Sequence, residues 1–284
     1  MDNYLPIRNL RQIVSNVVYE RETFRNKATS IANNLNLPLV HADFNFALES
    51  HDQYLYKYYL HFGNLGLSLR PHGAFTHGPI YCDFNSNKIL YRRKYGGGNG
   101  QALAKAIGVT DKCKPRVLDL TAGLGTDSFI LASLGCEILM LERNPVVYEL
   151  LCDGLARASK SASHDKVLSS IVNRLSLTKT DAHDYFAKLL PQCEFDVIYL
   201  DPMFALPSRA AKAKKEMYAL QSIVGADTDA SKLLEKAMRH VRYRTVVKRS
   251  NKSLNLGHIN PNIVLRGRST RYDIYTNCKL PLTL

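Results

Sequence analysis

Between residues 116 and 144 the chain reads RVLDLTAGLGTDSFILASLGCEILMLERN, and its apolar positions fall into three blocks. The run 117–120 is short and almost wholly apolar, which predicts a strand rather than a surface helix. Thr121, Ala122, Gly123, Leu124 and Gly125 then supply small residues where the chain must turn sharply. Over 126–134, Phe129, Ile130, Leu131 and Leu134 recur on one helical face, Gly135 stops the helix, and 137–141 reads as a second strand. Strand, glycine turn, helix and strand make a βαβ unit.

The pattern on either side predicts the rest. In residues 1–36 apolar positions at helical spacing, Ile13, Val17 and Val18 and then Phe24, Ala28, Ile31 and Ala32, predict two short helices. The segments 43–48, 54–62, 65–69 and 80–84 alternate, are rich in aromatic residues and are separated by turn residues, which predicts a small antiparallel sheet. After the central unit, Pro145 opens a helix over 146–158. A third strand is expected at 175–178, a helix at 182–190 capped by Asp181, and a fourth strand at 195–200. A helix carrying Leu233, Leu234, Ala237, Met238 and Val241 follows Asp227 and Asp229 as caps. A fifth strand at 245–250 and a hairpin from 262–265 and 271–275 close the series. The expected fold class is α/β, a Rossmann-like, seven-stranded, mostly parallel sheet over residues 91–284, with a small N-terminal α+β domain over 1–90.

Composition adds constraints. A chain of 284 residues with 45% hydrophobic positions can bury a sizeable core. No window approaches the roughly 18 apolar residues of a membrane span, and the start lacks the apolar core of a secretory signal, so a cytoplasmic protein is expected. Six cysteines without C-x-x-C spacing suggest neither zinc nor disulfides. His41, His51, His61, His72 and His77 lack metal-ligand spacing and read as polar loop and strand residues. The net charge of +13 is concentrated late: residues 201–284 hold 16 Lys and Arg against 6 acids. Such an imbalance favours a polyanionic partner, nucleic acid in particular; the alternative is a solvated basic face. Tyr54, Tyr56, Tyr58 and Tyr59 offer stacking platforms for bases or, more ordinarily, packing against a helix.

Chemistry enters at the strand ends. An acid closing the second strand of a βαβ unit can accept from ribose hydroxyls, and Glu142 lies nineteen positions after Gly123. A pyrophosphate would favour a third glycine, where this chain has Ser128, and would be repelled by Asp127. The pattern D-x-x-x-G-x-G from Asp119 through Gly123 to Gly125 instead resembles the nucleoside-binding loop of S-adenosylmethionine (SAM) methyltransferases, whose cationic ligand suits nearby carboxylates. In such a sheet Asp181 is also placed to accept from the adenine amino group. The fourth strand ends in Asp201-Pro202-Met203-Phe204, which resembles the D/N-P-P-Y/F tetrapeptide of amino-methyltransferases. There Asp201 and the Pro202 carbonyl would accept from the target amine, and Phe204 would stack on the base. Arg92, Arg93 and Lys94 before a glycine run read equally as a phosphate contact or as part of a hinge. Lys212, Lys214 and Lys215 beside the site, and Lys248 and Arg249 at the carboxyl end of the fifth strand, are the other candidates for a nucleic-acid backbone.

Taken together, R-R-K-Y-G-G-G-N-G, D-L-T-A-G-L-G-T-D, L-E-R-N-P-V-V, D-G-L-A-R, Y-L-D-P-M-F, K-K-E-M and V-V-K-R resemble the RsmJ family, bacterial methyltransferases of guanine N2 in 16S ribosomal RNA. The resemblance implies SAM as cofactor without a metal, and 16S ribosomal RNA or the small ribosomal subunit as partner, with neither a membrane nor an obligate protein partner. It places SAM contacts on Thr126 and Asp127, Glu142 and Arg143, Asp181 and Ala182, and Asp201. Two rivals stand beside it: an amino-methyltransferase of another acceptor, DNA adenine or protein glutamine, and a noncatalytic RNA-binding assembly factor.

Overall fold

The computed structural model describes residues 13–42, 56–72, 78–95, 98–188, 194–203, 215–225 and 227–284. The chain divides into two compact units that interleave in sequence: Met1–Cys82 with Pro145–Arg157 and Ala205–Gly225, and Asp83–Asn144 with Ala158–Phe204 and Ala226–Leu284. The sequence reading made a single cut after residue 90.

In the first unit, β1 (Val14–Tyr19) is followed by α1 (Glu22–Leu35), β2 (Leu39–His41) and the hairpin β3 (Tyr58–Gly63) and β4 (Gly66–Pro71). The segment expected as a first helix is therefore a strand. Every residue of β1 is buried, because it runs in the middle of the sheet order β2-β1-β3-β4. A strand covered on both faces shows no alternation, and its valines then mimic helical spacing. The sheet is also mixed rather than antiparallel: β1 is parallel to β2 and β3, and only β3 and β4 run antiparallel. Tyr58 is 1% exposed and belongs to the core, where no base can reach it. His72 lies 2.8 Å from Ser15 Oγ, and His61 lies 3.3 Å from Glu20. Tyr54, His51, His77 and the segment 43–48 lie outside the described residues.

The D-G-L-A-R motif sits in α5 (Pro145–Ser161), whose residues to Arg157 belong to this unit. Asp153 accepts from Leu67 N–H at 3.0 Å and from Arg157 Nε at 2.7 Å, and Arg157 also donates to the Cys82 carbonyl. A Cβ on Gly154 would fall 2.4 Å from Cys82 Sγ, so the glycine is what permits this approach. The motif is a structural clamp.

In the second unit, α2 (Asn87–Tyr95) and α3 (Ala102–Ile107) lead to β5 (Val117–Asp119), α4 (Thr126–Ser133) and β6 (Ile138–Glu142). After α5 come α6 (Lys166–Val172), β7 (Leu175–Lys179), α7 (Ala182–Lys188) and β8 (Phe195–Leu200). Helix α8 (Lys215–Val224) belongs to the first unit, and α9 (Ala230–His240), β9 (Val241–Ser250), β10 (Ile263–Arg266) and β11 (Thr270–Thr276) complete the second. The sheet order is β10-β11-β9-β8-β5-β6-β7. All pairs are parallel except the two made by β11. This is a Rossmann-like sheet, with Leu118, Leu141, Ile198, Leu200 and Val247 buried against Phe186 of α7 and Leu233 and Leu234 of α9. Reversal of strand order falls at β5, where ligands lie beyond the carboxyl ends of the strands in such folds. Tyr91 and the basic residues beside it, which precede the glycine run, lie in α2.

Candidate active site

The loop after β5 turns on two glycines in the left-handed region, Gly123 (φ 55) and Gly125 (φ 70), which L side chains rarely adopt. A Cβ on Gly123 would meet only the Thr121 carbonyl, 4.0 Å away, so the space beside the loop is open. Asp119 fastens the loop to the helix: its carboxylate accepts from Ser128 Oγ at 2.5 Å and from Thr121 N–H at 3.1 Å. Glu142 fastens it to the neighbouring strand, accepting from Gly123 N–H at 2.9 Å and from Asn144 N–H at 2.7 Å. Each Glu142 oxygen keeps lone-pair capacity after these bonds. A buried carboxylate beside open space is a fitting receptor for ribose hydroxyls, so the residues present suit a nucleoside cofactor.

Burial pushes both acids upward against these hydrogen bonds, Asp119 to about 7 and Glu142 to about 7. A raised carboxyl binds its proton more tightly in the folded than in the unfolded chain. Its contribution to stability is therefore complete below about pH 4 and is lost as pH rises through the folded value. Glu142→Gln removes that ionisation along with one acceptor. We expect the variant to be destabilised, with a deficit relative to wild type that narrows between about pH 5 and pH 8 in urea denaturation. A constant deficit would contradict the buried titration.

Arg143, next in the chain, gathers carboxylates from two other segments. It donates to Asp181 at 3.2 Å, to Asp229 at 2.8 Å and, through a very short contact, to Asp227. Burial opposes its charge, but the hydrogen bond of Asp229 and the charge of Asp227 more than offset this and raise its pKa. Asp181 also accepts from His183 N–H at 2.7 Å, the capping role expected of it at the start of α7. Ala182 is buried in the core.

The D-P-M turn after β8 is held from both sides. Asp201 N–H donates to Thr121 Oγ1 at 2.7 Å, Met203 N–H donates to Asp227 at 2.6 Å, and Asp227 N–H donates to the Met203 carbonyl at 3.0 Å. Pro202 is buried. The Asp201 side chain is 40% exposed and ion-paired with Lys248 at 2.8 Å. Phe204 lies outside the described residues. Asp127, in the first turn of α4, is surrounded by protein donors: Arg92 at 2.7 Å, Tyr199 hydroxyl at 2.8 Å and Lys248 at 2.8 Å. Burial alone would raise it, but Lys248 and Arg92 hold its carboxyl down at about 2.

Among the candidate RNA contacts, Arg92 and Lys248 are thus committed to carboxylates. Arg249 is 7% exposed and donates to the Leu254 carbonyl at 2.6 Å, so it braces the following loop and is withheld from the surface. Lys212, Lys214 and the side chains of Arg93, Lys94 and Lys215 are outside the described residues. Thr126 opens α4 without capping it; Gly125 is the N-cap residue. Thr121, Tyr199 and Asp227 had no assigned part from sequence, Asp227 having been read only as a helix cap. Among the described residues no group of three or more His, Cys, Asp or Glu could hold a metal ion, and no helix is long and apolar enough to cross a membrane.

The seven-stranded sheet, the glycine loop and the acid ending β6 define a class I SAM-dependent methyltransferase. Residues 42–277 match the family described as "Putative SAM-dependent methyltransferase". A protein of Cellvibrio japonicus named Ribosomal RNA small subunit methyltransferase J is 49% identical over 217 residues, 76% of this chain and 82% of that one. One of the same name from Coxiella burnetii is 41% identical over 259 residues, 91% of this chain and 95% of that one. The crystal structure of a SAM-dependent methyltransferase from Neisseria gonorrhoeae is similar with a TM-score of 0.64 at 29% identity, over 92% of this chain and 96% of that one. The chain belongs to this methyltransferase family, alongside the proteins named Ribosomal RNA small subunit methyltransferase J.

Proposed function

We propose that the protein transfers a methyl group from SAM to the exocyclic N2 of a guanine in 16S ribosomal RNA of the small subunit. The observation that carries this reading is the D-P-M turn: its backbone is held by Thr121 and Asp227, its carboxylate stays accessible, and it adjoins the glycine loop. The names of the relatives and the basic carboxyl-terminal third support an RNA acceptor.

When bound, SAM would supply a methyl group on a cationic sulfur: the S–CH3 bond breaks as N2 takes the methyl, S-adenosylhomocysteine leaves, and N2 gives up one proton to solvent. Glu142 accepts from the ribose hydroxyls, Gly123 and Gly125 let the backbone lie close to the nucleoside, and Asp181 faces the adenine side. Thr126, Asp127, Arg143, Ala182 and Asp201 complete the cofactor set. The guanine must leave its stack to reach the pocket. There Asp201 and the Pro202 carbonyl accept from N2–H, turning the nitrogen lone pair toward the methyl group, while Phe204 stacks on the ring. An aryl amine is a weak nucleophile because its lone pair is delocalised, so orientation and proximity supply most of the acceleration. The unit built on residues 1–82 is the candidate for further RNA contact, and a ribosomal substrate implies a cytoplasmic protein.

The test is transfer from labelled SAM to small subunits, free 16S RNA and duplex DNA, followed by nucleoside digestion and mass analysis. The expected product is N2-methylguanosine from a ribosomal substrate. Label on DNA or on another atom would overturn the acceptor.

A further inference from the structure

The parallel register of β8 and β9 pairs Leu200 with Val247, so the next residues, Asp201 and Lys248, emerge side by side at the carboxyl end of the sheet. Lys248 Nζ lies 2.8 Å from Oδ2 of Asp201 and 2.8 Å from Oδ2 of Asp127. The two carboxylates are unequally supplied. Asp127 also takes Arg92 on its other oxygen at 2.7 Å and the Tyr199 hydroxyl at 2.8 Å, and its side chain is 12% exposed. Asp201 has Lys248 as its one cation among the described residues, and no described residue donates to its Oδ1. Among the described residues one oxygen is held and the other is not.

We propose that Lys248 is the positioning residue of the acceptor pocket: its ammonium, anchored on Asp127, fixes Oδ2 of Asp201 so that Oδ1 meets the amino group of the target base. This rests on the reading of Asp201 as the amine acceptor and replaces the expected role of Lys248 on the RNA backbone. A phosphate would have to take Lys248 from two carboxylates already at contact distance.

The surroundings of Asp201 show why a cation is needed there. Asp127 from α4 and Asp227 from the segment before α9 both repel its charge. Asp119 from β5, Tyr199 from β8 and Tyr272 from β11 face the same cluster. Partial desolvation by the packed groups around its carboxylate and the charges of Asp127 and Asp227 push Asp201 upward, although part of the side chain stays exposed, and Lys248 pulls it back. Removing the ammonium therefore raises the pH at which the carboxylate is lost. Asp127 keeps Arg92 and Tyr199 in that case, so the cluster retains compensation.

The experiment is the pH profile of methyl transfer to small subunits at saturating SAM for wild type, Lys248→Met and Lys248→Arg. For Lys248→Met we expect kcat to fall by about 10²-fold, KM for the subunit to stay within a factor of about three, and the acidic limb to move to higher pH. Lys248→Arg, which keeps the charge, should hold the limb near wild type and recover part of kcat. Should Lys248→Met not fold, Lys248→Gln gives the same comparison. A raised KM with kcat and limb unchanged would overturn the proposal in favour of a backbone contact; so would a lowered kcat with an unmoved limb. Asp201→Ala separates the two levels: wild-type turnover by that variant removes the underlying reading of Asp201, whereas its loss of turnover together with an unmoved limb in Lys248→Met removes Lys248 alone.

Discussion

Asp201→Ala is expected to lower methyl transfer by about 10³-fold while leaving the protein folded and SAM affinity within a factor of about ten. The variant loses the carboxylate proposed to hold N2–H, yet it keeps the backbone that shapes the turn. Asp201 N–H still reaches Thr121, and Met203 is still clasped by Asp227. Stability should change little, because the deleted side chain is 40% exposed and Lys248 retains Asp127 as counter-ion. Single-turnover transfer from labelled SAM measures the first effect, and thermal denaturation with equilibrium SAM binding measures the others. Turnover within tenfold of wild type would sink the role assigned to Asp201. A loss of activity matched by unfolding would make the residue structural.

Much of this site could be seen from sequence because the proposed cofactor groups sit at the ends of strands or in the turn and first helical residues that follow them. Short apolar runs bounded by glycine or an acid are hard to mistake. The boundaries of β5, β6, β7 and β8 accordingly lie within one or two residues of those expected. What the pattern could not show is the partnership between side chains on different strands. Thr121 reads as one small residue in a turn, and its bond to Asp201 N–H exists because β5 lies beside β8. Lys248 reads as a basic residue at a strand end, and only the pairing of Leu200 with Val247 sets it against Asp201. The opposite failure occurs at Val14–Tyr19, where complete burial removed the alternation that marks a strand. Charge was also misleading when counted without position. Arg249 contributes to the basic excess, yet it is buried under a carbonyl.

Arg143→Ala is the second large effect, and it is expected mainly in stability. The guanidinium is the cation shared by Asp181, Asp227 and Asp229, whose side chains are 8%, 10% and 30% exposed. Removing one partner of a buried ion pair costs roughly 3–5 kcal/mol because the remaining charge is uncompensated. Arg143 is itself 34% exposed, so solvent screening brings the expected loss to about 2–3 kcal/mol at neutral pH. The pH dependence identifies the cause. Arg143 holds Asp229 below the usual carboxylate range against the effect of burial. A depressed acid contributes stability above its unfolded pKa and loses it as pH falls through the folded value, so the deficit of the variant should shrink below about pH 4. Urea denaturation at neutral and acid pH measures it, and a deficit under about 1 kcal/mol at pH 7 would remove the clamp. Because Asp227 links this clamp to the Met203 backbone, Arg143→Ala and Asp227→Asn should be non-additive: once Asp227 is neutral, part of the charge that Arg143 compensates is gone. Fully additive losses in stability and transfer would mean that the acid cluster beside the cofactor loop and the turn that holds the target amine act independently.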